Sequence, residues 1–224
     1  DALSGCAAVE RFAEDVLGGV FWLKIAGDAK ADVLLSAMKG APKVGDILEI
    51  GTYCGYSAIR MAVAMPGVRV VTLEVDPVHV VIARNMIRFA GLEQAINVWI
   101  GHSKDLIPRL SRHCRADGFR GVFMDQRGSR YDHDLKSLEK QNLLQAGAVV
   151  VADNVLKPGA PLFLWRVHSG EQYKNQFVRV QEFVMPAEDW LAVTVVGQYW
   201  KEVPTLAPPS EILELHRAAE RMRT

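Results

Sequence analysis

The chain predicts an α/β fold built on a largely parallel sheet, and three observations carry that expectation. From residue 46 onward, short apolar runs alternate with helical patterns at the spacing of strand–helix–strand crossovers. The first junction, DILEIGTYCGYS (46–57), runs from an apolar strand through a glycine-bearing turn into a helix starting at Ser57. The length of 224 residues suits one α/β domain with a sizeable core, whereas two compact domains would be tight.

The elements follow in order. Residues 4–18 and 28–40 read as two helices that cover the sheet or lid its upper edge. Strands are expected at 46–50, 69–74, 96–100, 120–125 and 147–153, with helices near 57–65, 77–90, 103–113 and 131–144 between them. Residues 177–184 and 192–200 are β-rich, separated by MPAED, and read as an antiparallel pair that finishes the sheet. After Pro204 the composition changes to PTLAPPS and then EILELHRAAERMRT, a short amphipathic helix. The expected division is therefore a domain over 1–203, its first 45 residues contributing to the lid, and a tail over 204–224. The tail reads either as a surface helix or as a linker toward a further domain.

Bulk properties narrow the function classes. Half of the residues are hydrophobic and 23% are charged, ordinary for a globular protein. The 26 bases and 26 acids are mixed along the chain, so no basic stripe points to nucleic acid or to an anionic membrane. No run of 18 apolar residues is present, so no span is expected in this chain. Cys6, Cys54 and Cys114 lack CxxC spacing, which fits a reducing, cytoplasmic setting without a disulfide framework. The chain starts at Asp1 rather than Met, which leaves an upstream anchor or targeting signal open.

Gly51 and Gly55 lack a Cβ, so main chain and ligand can approach closely there. Glu74 ends the second apolar run nineteen residues after Gly55, the distance at which an acid accepts hydrogen bonds from ribose hydroxyls. The spacing is G-x-x-x-G rather than G-x-G-x-x-G, and no Gly-Lys-Ser/Thr loop is present. The expected ligand is thus a nucleoside uncharged at its 5′ end, such as S-adenosylmethionine; a purely structural turn is the alternative. Cys54, inside the loop, reads as a small buried thiol. At the ends of the fourth and fifth strands stand Asp125 and the pair Asp153–Asn154. Two carboxylates and an amide oxygen converging beyond the sheet are hard ligands that suit Mg²⁺ better than zinc.

With those motifs in place, the stretch from Trp22 to Phe163 resembles the catechol O-methyltransferase family, Mg²⁺- and S-adenosylmethionine-dependent enzymes of small molecules. The matching segments are GDAK (27–30), LEIGTYCGYSAIRMA (48–62), the run ending in Glu74, IRFAGL (87–92), SKDLIP (103–108), SRYDHDLKSLEK (129–140) and ADNVLKPGAPLF (152–163). The resemblance implies a Rossmann-like, seven-stranded class I methyltransferase sheet, mostly parallel with an antiparallel last strand and helices on both faces. It implies that Glu49, Gly51, Tyr53 and Ser57 face the methionine part of the cofactor, with Asp125 beside it. Glu74 would hold the ribose, and His102, Ser103 and Lys104 would lie near the adenine. Asp125, Asp153 and Asn154 would bind Mg²⁺, with Trp22, Lys24, Asn154 and Pro158 on the acceptor, a catechol or other small phenol. A monomer is expected.

The chain departs from that family at the base. The family has His-Trp-Lys directly after its first metal-binding aspartate, and the lysine is the general base; here the segment is Asp125-Gln126-Arg127-Gly128. Arginine stays protonated and cannot replace it as a base. Lys24 and Lys157 are the candidate replacements, Lys24 preferred, with water acting on a metal-acidified phenol as the third option. The family's glutamate for the second hydroxyl aligns without gaps to Phe183, and Glu182, next to it, would serve only with a register shift or bulge. Two other functions stay open: a silent cofactor-binding module of a larger polypeptide, and an O-methyltransferase whose acceptor carries a carboxylate paired with Lys24 or Arg127.

Overall fold

The computed structural model describes residues 2–12, 14–15, 25–113, 118–182, 187–197 and 206–223. Seven strands form one sheet in the order β3-β2-β1-β4-β5-β7-β6. In chain order the elements are α1 (Ala2–Phe12), α2 (Asp28–Gly40), β1 (Ile47–Ile50), α3 (Tyr56–Ala64), β2 (Val70–Glu74), α4 (Pro77–Phe89), β3 (Ile96–Ile100), α5 (Ser103–Leu110), β4 (Phe119–Met124), α6 (Tyr131–Lys140), β5 (Leu144–Ala152), α7 (Pro161–Ser169), β6 (Tyr173–Gln181), β7 (Glu188–Val196) and α8 (Ser210–Arg221). β1 to β5 pair in parallel, and β7 runs antiparallel to both neighbours. Among the described residues, no helix is long and apolar enough to cross a membrane.

Strand pleating divides the core in two. Ile47, Val70, Ile96, Phe123 and Val151 face one cluster with Leu34, Met38, Ile59, Val80 and Ile87 from α2, α3 and α4. Leu48, Ile50, Val71, Leu73, Val122 and Val150 face the other, with Ile107, Leu110, Leu135, Leu138 and Phe163 from α5, α6 and α7. Both sheet faces are therefore covered, as long apolar parallel strands require.

The chain works outward from β1 through β2 to β3, then returns to add β4 on the other side of β1. That reversal opens a crevice at the carboxyl ends of β1 and β4. Ile50 pairs with Met124, so Gly51 and Asp125 leave the sheet side by side.

Two expectations need correction. The terminal pair lies at 173–181 and 188–196 rather than at 177–184 and 192–200, where residues 198–200 fall outside the described ones. β6 is an edge strand with many half-exposed polar residues (YKNQFVRVQ), so its apolar signal is weak in its first half. The helix α7 was also not expected. Pro161 supplies its first turn, where a missing N–H costs nothing, and Phe163 and Val167 form its buried stripe.

Candidate functional site

The loop after β1 is fixed by one carboxylate. Glu74, at the end of β2, accepts the backbone N–H groups of Thr52 (3.1 Å) and Tyr53 (2.9 Å) through Oε2. Its Oε1 accepts those of Val75 (2.8 Å) and Asp76 (2.9 Å). The four donors fill a carboxylate's acceptor positions. Tyr53 sits at φ 49°, and its ring meets His79 edge-on at 4.9 Å. Gly51 has φ 101°, and a Cβ there would lie 2.6 Å from the Asp125 carbonyl oxygen. The glycine loop and the acid after β4 are thus in backbone contact.

Glu49 lies beneath this loop and is fully buried. Its oxygens accept hydrogen bonds from the hydroxyls of Ser57 and, at 2.5 Å, Thr72, whose Oγ1 meets that of Thr52 at 2.6 Å. Burial pushes the Glu49 carboxyl up to about 7, against the two hydroxyls that favour its charge. A folded-state value above the unfolded one means that this group's stabilising contribution is present below about pH 4.5 and is lost as pH rises through 7. Glu49→Gln is therefore expected to gain about 3 kcal/mol over the parent above pH 7 and nothing near pH 4.5. Melting both proteins from pH 4.5 to 8.5 checks this; a gap independent of pH would remove the assignment.

At the far end of the crevice, Ser103 opens α5, and its Oγ donates to Asp134 Oδ2 at 2.7 Å. Gln126 Nε2 donates to the same oxygen at 2.9 Å, while Gln126 Oε1 is buried and has no partner among the described residues. His102 is the helix cap, its Nδ1 accepting from the backbone N–H of Lys104.

The acids beyond β4 and β5 surround a lysine. Lys30 on α2 is 1% exposed, and its ammonium lies 2.8 Å from Asp153 Oδ1 and 2.7 Å from Glu182 Oε1. Asn154, at φ 53°, donates through Nδ2 to Glu182 (2.7 Å) and to buried Asp189 (3.1 Å). Asp189 also accepts the backbone N–H groups of Leu156, Lys157 and Trp190, so it holds the turn Val155–Gly159. Tyr131 donates to the Asp153 carbonyl at 2.9 Å. Asp125 accepts no hydrogen bond from the described residues. Burial first, and then the Asp153 charge, raise its carboxyl well above the usual range, only partly offset by Lys30. Asp153 is raised by burial as well, although Lys30 touches it. Burial leads in both cases, and one ammonium among three carboxylates does not offset it. Among the described residues no three His, Cys, Asp or Glu side chains form a ready cation cage; Lys30 pairs with Asp153 and Glu182 there.

The structure thus brings together Glu49, Gly51, Tyr53, Ser57, Glu74, Ser103, Asp125, Asp153, Asn154 and Glu182. Glu182 enters the site because the β6–β7 pairing runs on to Glu182 N–H and Ala187 O, so alternation puts its side chain on the face of Val178 and Val180, where α2 brings Lys30. Pro158 lies in the Asp189-braced turn, after a cis peptide from Lys157. Lys157 is exposed and makes no ion pair among the described residues, unlike Lys30, so its side chain stands apart from the acids. Trp22, Lys24 and Phe183 lie outside the described residues. Sequence reasoning missed Lys30, Gln126 and Asp189; the first was visible only as a letter of the GDAK segment.

Comparisons with known proteins identify the family of the chain. The O-methyltransferase family model matches residues 27–189. The chain is 38% identical to catechol O-methyltransferase B of Danio rerio over 175 residues, covering 78% of this chain and 66% of that protein. It is 39% identical to catechol O-methyltransferase of Mus musculus over 155 residues, 68% of this chain and 58% of the other. It is equally 39% identical to the transmembrane O-methyltransferase of Homo sapiens over 156 residues, 68% and 53% of the two chains. The chain therefore spans less than two thirds of the length of these relatives. Among solved structures, cofactor-bound Rv0187 from MTB superposes with TM-score 0.68 at 27% identity, covering 88% of this chain and 90% of that one. The O-methyltransferase TomG of Streptomyces achromogenes, in complex with SAM, gives 0.70 at 24%, with the same coverage. A model match over 27–189, a seven-stranded sheet of this order and a glycine loop abutting an acid pair lead to one conclusion: the chain belongs to the O-methyltransferase family.

Proposed function

We propose that the protein transfers the methyl group of S-adenosylmethionine to a phenolic hydroxyl, its acceptor being a catechol held on Mg²⁺. The observation that carries this reading is the contact of Gly51 with the Asp125 backbone, which sets a nucleoside-type loop against the acids. The relatives named catechol O-methyltransferase support the acceptor class.

Glu49, Gly51, Tyr53 and Ser57 would face the methionine part. Glu74 would exchange loop amides for ribose hydroxyls. Ser103 and Gln126 would take the adenine, the orphan Gln126 Oε1 accepting from its amino group. Mg²⁺ would be held by Asp125, Asp153 and Asn154. The charge at the site fits: Asp125, Asp153 and Glu182 against Lys30 leave an excess of negative charge for a divalent ion to balance. When bound, the ion supplies Lewis acidity that favours the phenolate form of a chelated hydroxyl.

This chain's residues do the rest. Glu182, beside Asn154, would accept a hydrogen bond from the second hydroxyl, and Lys30 limits the repulsion among the acids. Asp189 keeps Asn154 and Pro158 in place through four hydrogen bonds to the turn and strand around them. Since the sulfonium methyl is already activated, catalysis consists mainly of aligning oxygen, carbon and sulfur and excluding water. Trp22 and Lys24 would complete the acceptor side, Lys24 as the base. The reading carries a small-molecule partner and a cytoplasmic monomer.

Calorimetry with S-adenosylmethionine, followed by methyl transfer to a panel of catechols and monophenols with and without EDTA, tests it. Binding, turnover on catechols and loss with EDTA are expected. Turnover indifferent to EDTA would remove the ion, and absent cofactor binding would remove the whole reading.

A further inference from the structure

The amphipathic helix α8 docks on the site rather than trailing from it. Before it, the Trp165 indole on α7 donates to the Leu206 carbonyl at 3.2 Å. Just past its end, Arg223 has a largely buried side chain, its Nη2 donating to the Gly159 carbonyl at 2.5 Å and its Nη1 3.4 Å from Glu220. The same Nη2 would lie 2.8 Å from a Cβ built on Gly128. Gly128 is not in the left-handed region, so a methyl there would act through space, displacing the Arg223 guanidinium rather than straining the backbone.

Gly128 is three residues past Asp125, and Gly159 is five past Asn154. The guanidinium is therefore wedged between the two loops that carry the acids of the site. Tyr131 links them too, donating to the Asp153 carbonyl, and the Arg223 charge is felt at its hydroxyl, where it opposes Asp125 and Asp153.

We propose that Arg223 is a positioning residue of the acceptor site, a brace that α8 inserts between the loops 125–131 and 153–159 to fix their separation. Its fork suits the role: Nη2 binds the Gly159 carbonyl beside Gly128 while Nη1 reaches Glu220, which a lysine's single ammonium would do less well. Displacing the brace moves ligands without touching their chemistry, so the acceptor step suffers most; the donor keeps the loop held by Glu74 and loses only what the shift of Gln126 costs it. The kinetic part of this inference rests on the proposed function.

The test uses the whole 224-residue chain carrying Arg223→Ala, Arg223→Lys, Gly128→Ala or the double substitution. Hydrogen exchange comes first because it needs no activity. Arg223→Ala and Gly128→Ala are each expected to speed exchange in 125–131 and in 153–159 together, with β1 and β2 unchanged. The double variant should be no worse than the worse single one, since both lose the same wedge. In kinetics, Arg223→Ala should lower kcat/KM for the acceptor by about tenfold to a hundredfold. The cofactor Kd should change by a smaller factor than the acceptor kcat/KM, since Gln126 alone of the residues proposed for the cofactor lies in the loosened loop, and Arg223→Lys should recover part of the loss. Exchange confined to α7 and α8, or additive effects of the two substitutions, would overturn the brace. If the parent has no turnover, the proposed function fails while the exchange result still decides this inference.

Discussion

Replacing Lys30 with methionine is expected to destabilise the protein by about 3–5 kcal/mol, the cost of leaving buried carboxylates without their cation. Its ammonium sits between Asp153 and Glu182 and is 1% exposed, so water cannot take over. At 2–4 °C per kcal/mol for a chain of this size, the melting temperature should fall by about 10 °C. The dependence on pH follows from its direction. Burial works to lower the Lys30 value, but Asp153 and Glu182 together raise it above 10.5. The contribution of a raised lysine is complete below 10.5 and is lost only above its folded value. The lysine itself thus adds no pH dependence near neutrality, but without it Asp125 and Asp153 rise further and take up protons, so the deficit should shrink as pH falls. Mg²⁺ should restore more of the lost stability in the variant than it adds to the parent, because three acids then lack any counter-charge. Thermal melts with and without Mg²⁺ check both points. A variant melting within about 2 °C of the parent, less than 1 kcal/mol, would mean that the pair is not formed in solution.

Gly51→Ala should be nearly as severe and should also abolish cofactor binding. The new methyl would lie 2.6 Å from the Asp125 carbonyl oxygen and 2.8 Å from its carbon, at φ 101°. Neither backbone can yield, because Asp125 N–H bonds to Ile50 O at 2.9 Å and Gly51 N–H to Leu73 O at 2.9 Å. The unfavourable φ costs about 1–2 kcal/mol and the forced shift about 1–3 more. Gly67→Ala is the matched control: φ is 86°, yet nothing lies within 4 Å of its Cβ, so it carries the conformational cost alone. Calorimetry with S-adenosylmethionine should show at least a tenfold loss for Gly51→Ala, about 1.4 kcal/mol, and no change for Gly67→Ala. Equal melting temperatures for the two would mean that the close approach is absent.

Much of this was legible in the chain because the signals were local. Parallel strands buried on both faces are continuous apolar runs, so VRVVTLEV and GVFMD declared themselves, and the residues after them fell at one sheet edge. The acids could be named for that reason. Lys30 could not, because its partners are 123 and 152 residues away, and a lysine early in a helix looks like any solvated lysine. Asp189 was hidden in MPAED, which reads as a turn until the backbone shows which N–H groups it serves. Glu182 was named only as the neighbour of Phe183, because the family pattern laid on the chain without gaps falls one residue past it. Gln126 was read only as a departure from a pattern, although its orphan oxygen is now the clearest unpaired acceptor near the crevice.

The contact of Gly51 with Asp125 has an evolutionary implication. A drift of β1 against β4 that tuned preference for the nucleoside would at the same stroke reshape the nest for the ion. The two selectivities are mechanically joined, so descendants of this chain could not readily trade one while keeping the other, and variation should accumulate instead in the acceptor walls.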